Sequence, residues 1–181
     1  MILASIKPYY YYLIAEGIKK IEVRKSALKN LPQDIAFYMS KDEKSFAKIP
    51  KELQEKYLKH FGKVGMKVVC EKIDKYTSLL FRGQEFYQNF TTSEEIKAHL
   101  TLKEMRVYGK GKPIYGWHIS DVKIYDRPRE LSEFFKPCPT KEKGDCLSCD
   151  CLADNDYGGV CTNNLTRPPQ SYMFVEEIEE K

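Results

Sequence analysis

Three charged residues that follow a glycine in segment 17–24 have types and spacings suited to binding a planar, anionic ligand. Lys19, Glu22 and Arg24 come two, five and seven residues after Gly17. Arginine and lysine donate hydrogen bonds to phosphate oxygens, and a carboxylate can accept from the amino edge of a base. The alternative is an ion pair that only stabilises the structure, because charged strand faces are common.

The elements around this segment must hold the three side chains together. Residues 20–25 alternate between polar and apolar side chains, which predicts a half-buried strand with Glu22 and Arg24 facing outward. A short helix over 9–16 precedes the strand and ends at Gly17. A glycine corner followed by a strand would therefore fix two cations and a carboxylate on one patch.

The rest of the chain predicts an α+β fold. Further strands are predicted over 2–6, 35–39, 66–73, 114–125 and 171–177, and further helices over 50–61, 92–100, 101–108 and 130–135. Short strands interrupted by short helices, without regular alternation, argue against a parallel doubly wound sheet. A small, partly closed β-barrel with peripheral short helices fits the pattern better.

Composition limits the classes of function. The chain has 181 residues, enough for one domain with a full core, and its net charge is only +4. A protein that coats DNA without specificity would be far more basic. No apolar run approaches the roughly 20 residues of a membrane span, and no secretory signal is apparent. We expect a cytoplasmic protein, a monomer without membrane association.

A cysteine-rich segment differs in composition from the rest of the chain. Residues 137–166 are polar and aperiodic, and they are predicted to form an insertion in a domain made of 1–136 and 167–181. A Cys-x-x-Cys pair lies among five cysteines that could ligate a structural zinc ion, namely Cys138, Cys146, Cys149, Cys151 and Cys161. The alternatives are an iron–sulfur cluster, a disulfide, or a loop with free thiols. One functional hypothesis for this segment is an adaptor that docks a protein partner through the cysteine-rich loop.

The spacing Gly17-x-Lys19-x-x-Glu22-x-Arg24 resembles the G-x-K-x-x-E-x-R signature of the ASCH family, a branch of the PUA-like superfamily. Segments 6–8, 115–119 and 131–134 resemble other parts of the family, and segment 167–171 resembles its phage-like members. The resemblance covers most of residues 1–136 and 167–177. It implies a PUA-like β-barrel whose basic cleft binds RNA or a modified nucleoside.

The resemblance and the residue types together define a candidate nucleic-acid-binding set. It consists of Lys7, Lys19, Lys20, Glu22, Arg24, Trp117, Arg167, Gln170 and Ser171. Trp117 could stack on a base, but a core position is the alternative that its strand context favours.

One branch of the ASCH family hydrolyses N4-acetylcytidine with a lysine, a threonine and a glutamate. Lys19 matches that lysine, whereas Glu22 stands at the threonine position. The resemblance therefore implies a second hypothesis, an amidohydrolase in which Lys19 and Glu22 are catalytic and Glu22 acts as a general base on water. Glu71 and Glu85 lie in the part of the chain where the resemblance would place the family's catalytic glutamate, and either could correspond to it.

Overall fold

A computed structural model describes residues 1–137 and 163–177, which form five short α-helices and nine strands. In chain order the elements are β1 Ile2–Ile6, α1 Pro8–Ala15, β2 Ile21–Arg24, β3 Gln33–Met39, α2 Glu43–Phe46, α3 Lys51–Leu58, β4 Val64–Phe81, β5 Gln84–Gln88, α4 Thr92–Ala98, α5 Leu102–Gly109, β6 Ile114–Arg129, β7 Phe134–Phe135, β8 Tyr172–Phe174 and β9 Glu176–Glu177.

Seven of the described strands form one curled sheet that resembles half of a barrel. The strand order is β2-β6-β4-β3-β1-β8, and β5 extends the sheet by pairing with one end of β4. The pairing of β1 with β3 is parallel, whereas the other pairings in this sheet are antiparallel. Strands β7 and β9 form a separate two-stranded ribbon. The α+β prediction is confirmed.

The sheet is covered on both faces, which explains why several strands are buried at consecutive positions. In β1, Ile2 and Ala4 pack in a cluster that contains helix α1, while Leu3 packs in a second cluster with Phe134 and Val175. A third cluster lies between β2, β4, β5, α4 and α5. Because both faces are buried, these strands lack the polar–apolar alternation of a strand that has one face exposed to solvent.

The region after β6 differs from the prediction. A helix over 130–135 was expected, but residues Leu131–Glu133 form a single 3₁₀ turn and Phe134–Phe135 form strand β7. Phe134 is fully buried in the second cluster. Pairing of β7 with β9 satisfies the local backbone, so the segment gains more from the ribbon than from another helical turn.

Two further differences concern the strands. The predicted strand 66–73 is the first half of β4, which continues into a hairpin with β5 that the sequence did not reveal. The predicted strand 171–177 is divided into β8 and β9 at Val175, whose N–H donates to the carbonyl of Met1. None of the helices in the described ranges is long and apolar enough to cross a lipid bilayer.

Candidate functional site

The end of helix α1 determines where Lys19 lies. Gly17 has a φ of +70°, a left-handed conformation that glycine adopts without strain. The chain then turns back on the helix, because the backbone N–H groups of Ile18 and Lys19 donate to the carbonyl oxygen of Leu13 at 2.8 and 2.9 Å. This corner directs Lys19 into the interior, where the residue is only 2% exposed.

Strand β2 places Glu22 and Arg24 two residues apart on the same face. Both were expected to face solvent, but each residue is only 7% exposed. The opposite face of the strand packs Ile21 and Val23 in the third hydrophobic cluster, as the alternation predicted. The polar face lines a cavity that other segments cover. Glu22 and Arg24, which the alternation predicted to face outward, therefore face this cavity and not bulk solvent.

Glu22 connects the two buried cations. Its Oε2 atom lies 3.5 Å from Nζ of Lys19, and its Oε1 atom lies 3.0 Å from Nε of Arg24. The Nε–H bond of Arg24 does not point at that oxygen, so the contact is an ion pair without a hydrogen bond. Lys19 also donates a short hydrogen bond to the carbonyl oxygen of Ala98 at the end of α4.

Arg24 joins three parts of the chain. Its NH2 group donates to the carbonyl oxygen of Ser5 at 2.7 Å, and its NH1 group donates to that of Ser171 at 3.4 Å. Its guanidinium carbon lies 5.5 Å from the ring centroid of Trp117, a cation–π distance. Arg24 is therefore fixed by β1, by β6 and by the segment that leads into β8.

Burial changes the proton affinity of Lys19. The loss of hydration lowers the pKa of its ammonium group, and the carboxylate of Glu22 opposes this shift. A lysine with a lowered pKa holds its proton less tightly than a surface lysine and can act as a proton acceptor more readily.

The three charged side chains lie in the wall of a cavity of about 420 Å³. This volume is within the usual range for small-molecule sites. Three cationic and two acidic side chains contribute to the wall, so its excess of positive charge is small. The lining residues are Ser5, Ile6, Lys7, Tyr10, Lys19, Glu22, Val23, Arg24, Ser40, Leu100, Glu104, Tyr108 and Gln170.

Two tyrosine rings border the charged groups. The ammonium of Lys19 lies 5.0 Å from the ring centroid of Tyr10, and Tyr108 lines the cavity from α5. Burial, with smaller contributions from Glu104 and Glu22, raises the pKa of Tyr10 to about 12. Its hydroxyl is therefore protonated at neutral pH and can donate a hydrogen bond.

The architecture resembles that of solved ASCH structures. ASCH from Zymomonas mobilis matches 97% of this chain over 87% of its own length, with a TM-score of 0.53 and 17% identity. Two single-substitution variants of that protein match 97% of the chain with TM-scores of 0.54 and 0.55, each at 15% identity, over 89% and 87% of their own lengths. The chain has an ASCH-type fold. No family model and no curated protein matches the sequence.

The ASCH-type fold brings together five of the nine residues predicted to bind nucleic acid. Those in the cavity wall are Lys7, Lys19, Glu22, Arg24 and Gln170. Ser171 contributes its carbonyl oxygen to Arg24 rather than a side chain to the wall. Lys20 and Arg167 are exposed and lie outside the wall.

Trp117 occupies the core position that its strand context favoured. It is 0% exposed, its ring packs edge-on against Tyr172 at 5.6 Å, and its Nε1–H donates to the carbonyl oxygen of Ser26 at 3.1 Å. A fully buried indole presents no face to a base. Its contribution to the site is the cation–π contact that its ring makes with the guanidinium of Arg24.

Sequence reasoning missed several residues of the wall, including Tyr10, Leu100, Glu104 and Tyr108. One signal could have located two of them. Thr101 and Glu104 form a capping box, a pattern that can be read from the sequence and that fixes the start of α5. Glu104 and Tyr108 are then four residues apart on one side of that helix.

Other candidates for chemistry lie outside the cavity wall. Glu71 is exposed, and Glu85 accepts hydrogen bonds from Ser78 and from the backbone N–H of Gly111. His118 lies 2.6 Å from Asp74 on the sheet surface, and the buried His60 faces the Tyr11 hydroxyl. Neither Glu71 nor Glu85, the two candidates for the family's catalytic glutamate, therefore lies beside Lys19 in the cavity wall.

The five cysteines predicted to bind zinc lie outside the described residues. Within the ranges that are described, no cluster of histidine, cysteine and acidic side chains could hold a metal ion. The remaining cysteine, Cys70, is buried in the core, and burial raises the pKa of its thiol to about 11.

Proposed function

We propose that the cavity binds a nucleotide, free or within RNA, and that Lys19, Glu22 and Arg24 form its polar floor. The observation that carries this proposal is a buried carboxylate held between two buried cations at the bottom of an open cavity. A site of this kind offers an acceptor for the amino edge of a base and positive charge for a phosphate.

The walls suit the planar part of such a ligand. The half-buried ring of Tyr10 and the ring of Tyr108 border the cavity, and rings of this kind stack on any base. Ser5 and Ser40 also line the cavity, and the Ser5 hydroxyl donates to the carbonyl oxygen of Pro169 at 2.6 Å. Recognition of RNA commonly combines stacking with hydrogen bonds to an unstacked base and to the 2′-hydroxyl.

Titration of the four ribonucleoside monophosphates tests the proposal, with ribose 5-phosphate as the ligand that lacks a base. We expect at least one nucleotide to bind more tightly than ribose 5-phosphate, and Tyr10→Leu to weaken it about tenfold through lost stacking. Glu22→Gln retains the shape of the side chain but replaces a carboxylate, which only accepts hydrogen bonds, with an amide that both accepts and donates. We therefore expect this variant to alter the preference among bases.

Glu55→Gln is the matched control for Glu22→Gln, because Glu55 is exposed on α3 and does not line the cavity. It should leave binding unchanged. Circular dichroism and thermal melting of each variant separate lost binding from lost folding. Equal affinity of all nucleotides and ribose 5-phosphate for the wild type and both cavity variants would remove the proposal.

The lowered pKa of Lys19 beside Glu22 favours a second candidate function, hydrolysis of an acylated nucleoside. In that reaction water adds to the acyl carbon while Glu22 accepts its proton, the carbon–nitrogen bond breaks, and the proton passes to the leaving amine. Lys19 would polarise the acyl oxygen. Release of cytidine and acetate from N4-acetylcytidine, lost in Lys19→Met, tests this function, and no turnover across acylated nucleosides would exclude it.

A further inference from the structure

The hairpin made by β5 and the end of β4 carries large apolar side chains on its surface. Leu79, Leu80 and Phe81 are 48%, 77% and 63% exposed, and Phe86 is 38% exposed. Among the described strands, residues 77–81 of β4 pair only with β5, so the hairpin extends beyond the main sheet. Proteins usually protect such strand edges with charges or prolines, and a cluster of exposed apolar side chains there indicates an interaction surface.

The register of the hairpin places three of these side chains on one face. Leu79 lies directly opposite Phe86, and Phe81 follows Leu79 by two residues on the same strand. Leu80 lies on the other face together with Glu85, which is the only carboxylate of the hairpin. The face with the two phenylalanine rings is therefore apolar, and the hairpin gives it no negative charge.

An arginine lies over each of the two phenylalanine rings. The guanidinium carbon of Arg82 lies 5.3 Å from the ring centroid of Phe81, and that of Arg106, on α5, lies 5.6 Å from the ring centroid of Phe86. Within the part of the chain that the structure describes, no carboxylate oxygen lies within 4.0 Å of the nitrogen atoms of either arginine. We call Leu79, Phe81, Arg82, Phe86 and Arg106 the hairpin patch.

The turn of the hairpin does not explain the arginine that it contains. Arg82 and Gly83 form a two-residue loop between paired strands, and their φ angles are +49° and +74°. The first position of such a turn favours asparagine or aspartate, whose short side chains tolerate the left-handed conformation. Arginine at this position is unfavourable for the turn, but it places a cation at one end of the apolar face.

We infer that the hairpin patch docks a segment of another protein that has an apolar centre flanked by carboxylates. The apolar side chains of the segment would cover Leu79 and the two phenylalanine rings, and its carboxylates would pair with Arg82 and Arg106. A second copy of this chain does not fit, because a two-fold contact between two such patches brings arginine against arginine in either orientation. The inference is independent of the proposed function, since no residue of the patch lines the cavity.

Selection from a random peptide library tests the inference. The library is bound to the full-length protein, and peptides that also bind Leu79→Ser/Phe81→Ser are removed. We expect the remaining peptides to share apolar residues with aspartate or glutamate on both sides. Failure to enrich any peptide over the variant, or enrichment of peptides without acidic residues, would overturn the inference.

Arg82→Asn separates recognition from folding. Because asparagine suits the turn, the melting temperature should stay the same or rise, whereas affinity for a selected peptide should fall about two- to fivefold and become less sensitive to salt. Arg106→Gln should lower the affinity by a similar factor. Lys44→Gln removes one charge from an exposed position on α2 and should leave the affinity unchanged. Unchanged affinity in Arg82→Asn, or an equal loss in Lys44→Gln, would contradict the predicted ion pairs.

Leu80 provides the matched control for Leu79, because the two leucines lie on opposite faces of the hairpin. Leu79→Ser should lower peptide affinity about tenfold, whereas Leu80→Ser should leave it unchanged. Thermal melting of both variants checks that the fold is retained. Equal losses in the two variants would show that binding does not use one face and would overturn the inference.

Two other occupants have distinct outcomes. Binding to vesicles of phosphatidylcholine and phosphatidylserine that is lost in Leu80→Ser would assign the hairpin tip to a membrane surface, because insertion uses both faces. A single-stranded RNA oligomer that displaces the selected peptide from the wild type would assign the two arginines to phosphates. Either result would overturn the inference, and neither depends on whether the cavity binds a nucleotide.

Discussion

The carboxylate of Glu22 lies 3.0 Å from Nε of Arg24, and less than a tenth of either side chain is exposed. Charges so fully removed from water lose hydration that only close partners can replace. Lys19 supplies a second counter-charge to Glu22, and backbone carbonyls supply acceptors to Arg24. The cavity floor is therefore a connected network in which each group depends on the others.

We expect Glu22→Gln to reduce the free energy of unfolding by about 3 kcal/mol or more, because it leaves two buried cations without their shared counter-charge. Urea denaturation of the wild type and the variant measures the difference. Glu55→Gln, an exposed change of the same chemistry, should alter it by less than about 0.5 kcal/mol. A loss below about 1 kcal/mol for Glu22→Gln would mean that water reaches the network.

Lys19→Met should reduce the rise of stability with pH. Because burial lowers the pKa of Lys19 below its ordinary value of 10.5, the folded protein releases a proton that the unfolded chain keeps. The free energy of unfolding of the wild type therefore rises between the lowered pKa and 10.5, and this contribution disappears in Lys19→Met. Denaturation at a series of pH values gives both slopes; identical slopes would contradict the lowered pKa of Lys19.

His60 should make stability fall in mild acid. Burial lowers the pKa of its imidazole from 6.5 to about 4, with smaller contributions from Lys59 and Lys56. The contribution of this residue is complete above pH 6.5 and is lost as the pH falls toward 4, a total of about 3 kcal/mol. In His60→Gln, denaturation midpoints should vary less between pH 7 and 4; an unchanged pH profile would refute the assignment.

Replacing residues 138–162 with a short Gly-Ser linker should preserve the fold and the cavity. Backbone hydrogen bonds already hold the two ends of this segment close together. The N–H of Lys136 donates to the carbonyl oxygen of Asn163 at 3.1 Å, and the N–H of Leu165 donates to that of Phe134 at 2.8 Å. Loop length has only a weak effect on the closure entropy. Nucleotide binding and thermal melting measure the outcome, and a variant that fails to fold would show that the segment stabilises the rest of the chain.

Elemental analysis of the same two proteins examines the zinc proposal separately. We expect about one zinc ion per full-length chain and none in the shortened protein, because the five clustered cysteines are removed while Cys70 remains buried. Equal metal content in both would place any bound ion elsewhere.

Local patterns predicted the strand at 20–25 and the corner at Gly17, since these depend on neighbouring residues. The same alternation could not show that Glu22 and Arg24 face a cavity instead of solvent. That distinction depends on Ser5, Ser171 and α5, which are remote in sequence. Burial of Lys19 was unexpected for the same reason.

Errors elsewhere have a similar origin. The 130–135 segment has a helical pattern, but a strand partner more than 40 residues later overrides it. The β4–β5 hairpin carries exposed Leu79, Leu80 and Phe81 on a projecting end, so its sequence lacks the polar-apolar alternation of a half-buried strand. Tyr10 and Tyr108 became site residues only because the fold brings α1 and α5 to the same cavity.

Arg24 has a consequence for the order in which the molecule is made. One of its bonds reaches Ser171, Gln170 lines the cavity, and the Tyr172 hydroxyl donates to the carbonyl of Ala27. These residues leave the ribosome after the whole of the main sheet except β8. A nascent chain that has emerged only as far as β6 contains most of the core residues, yet it cannot complete the cavity, because Gln170 and the carbonyl of Ser171 are still missing.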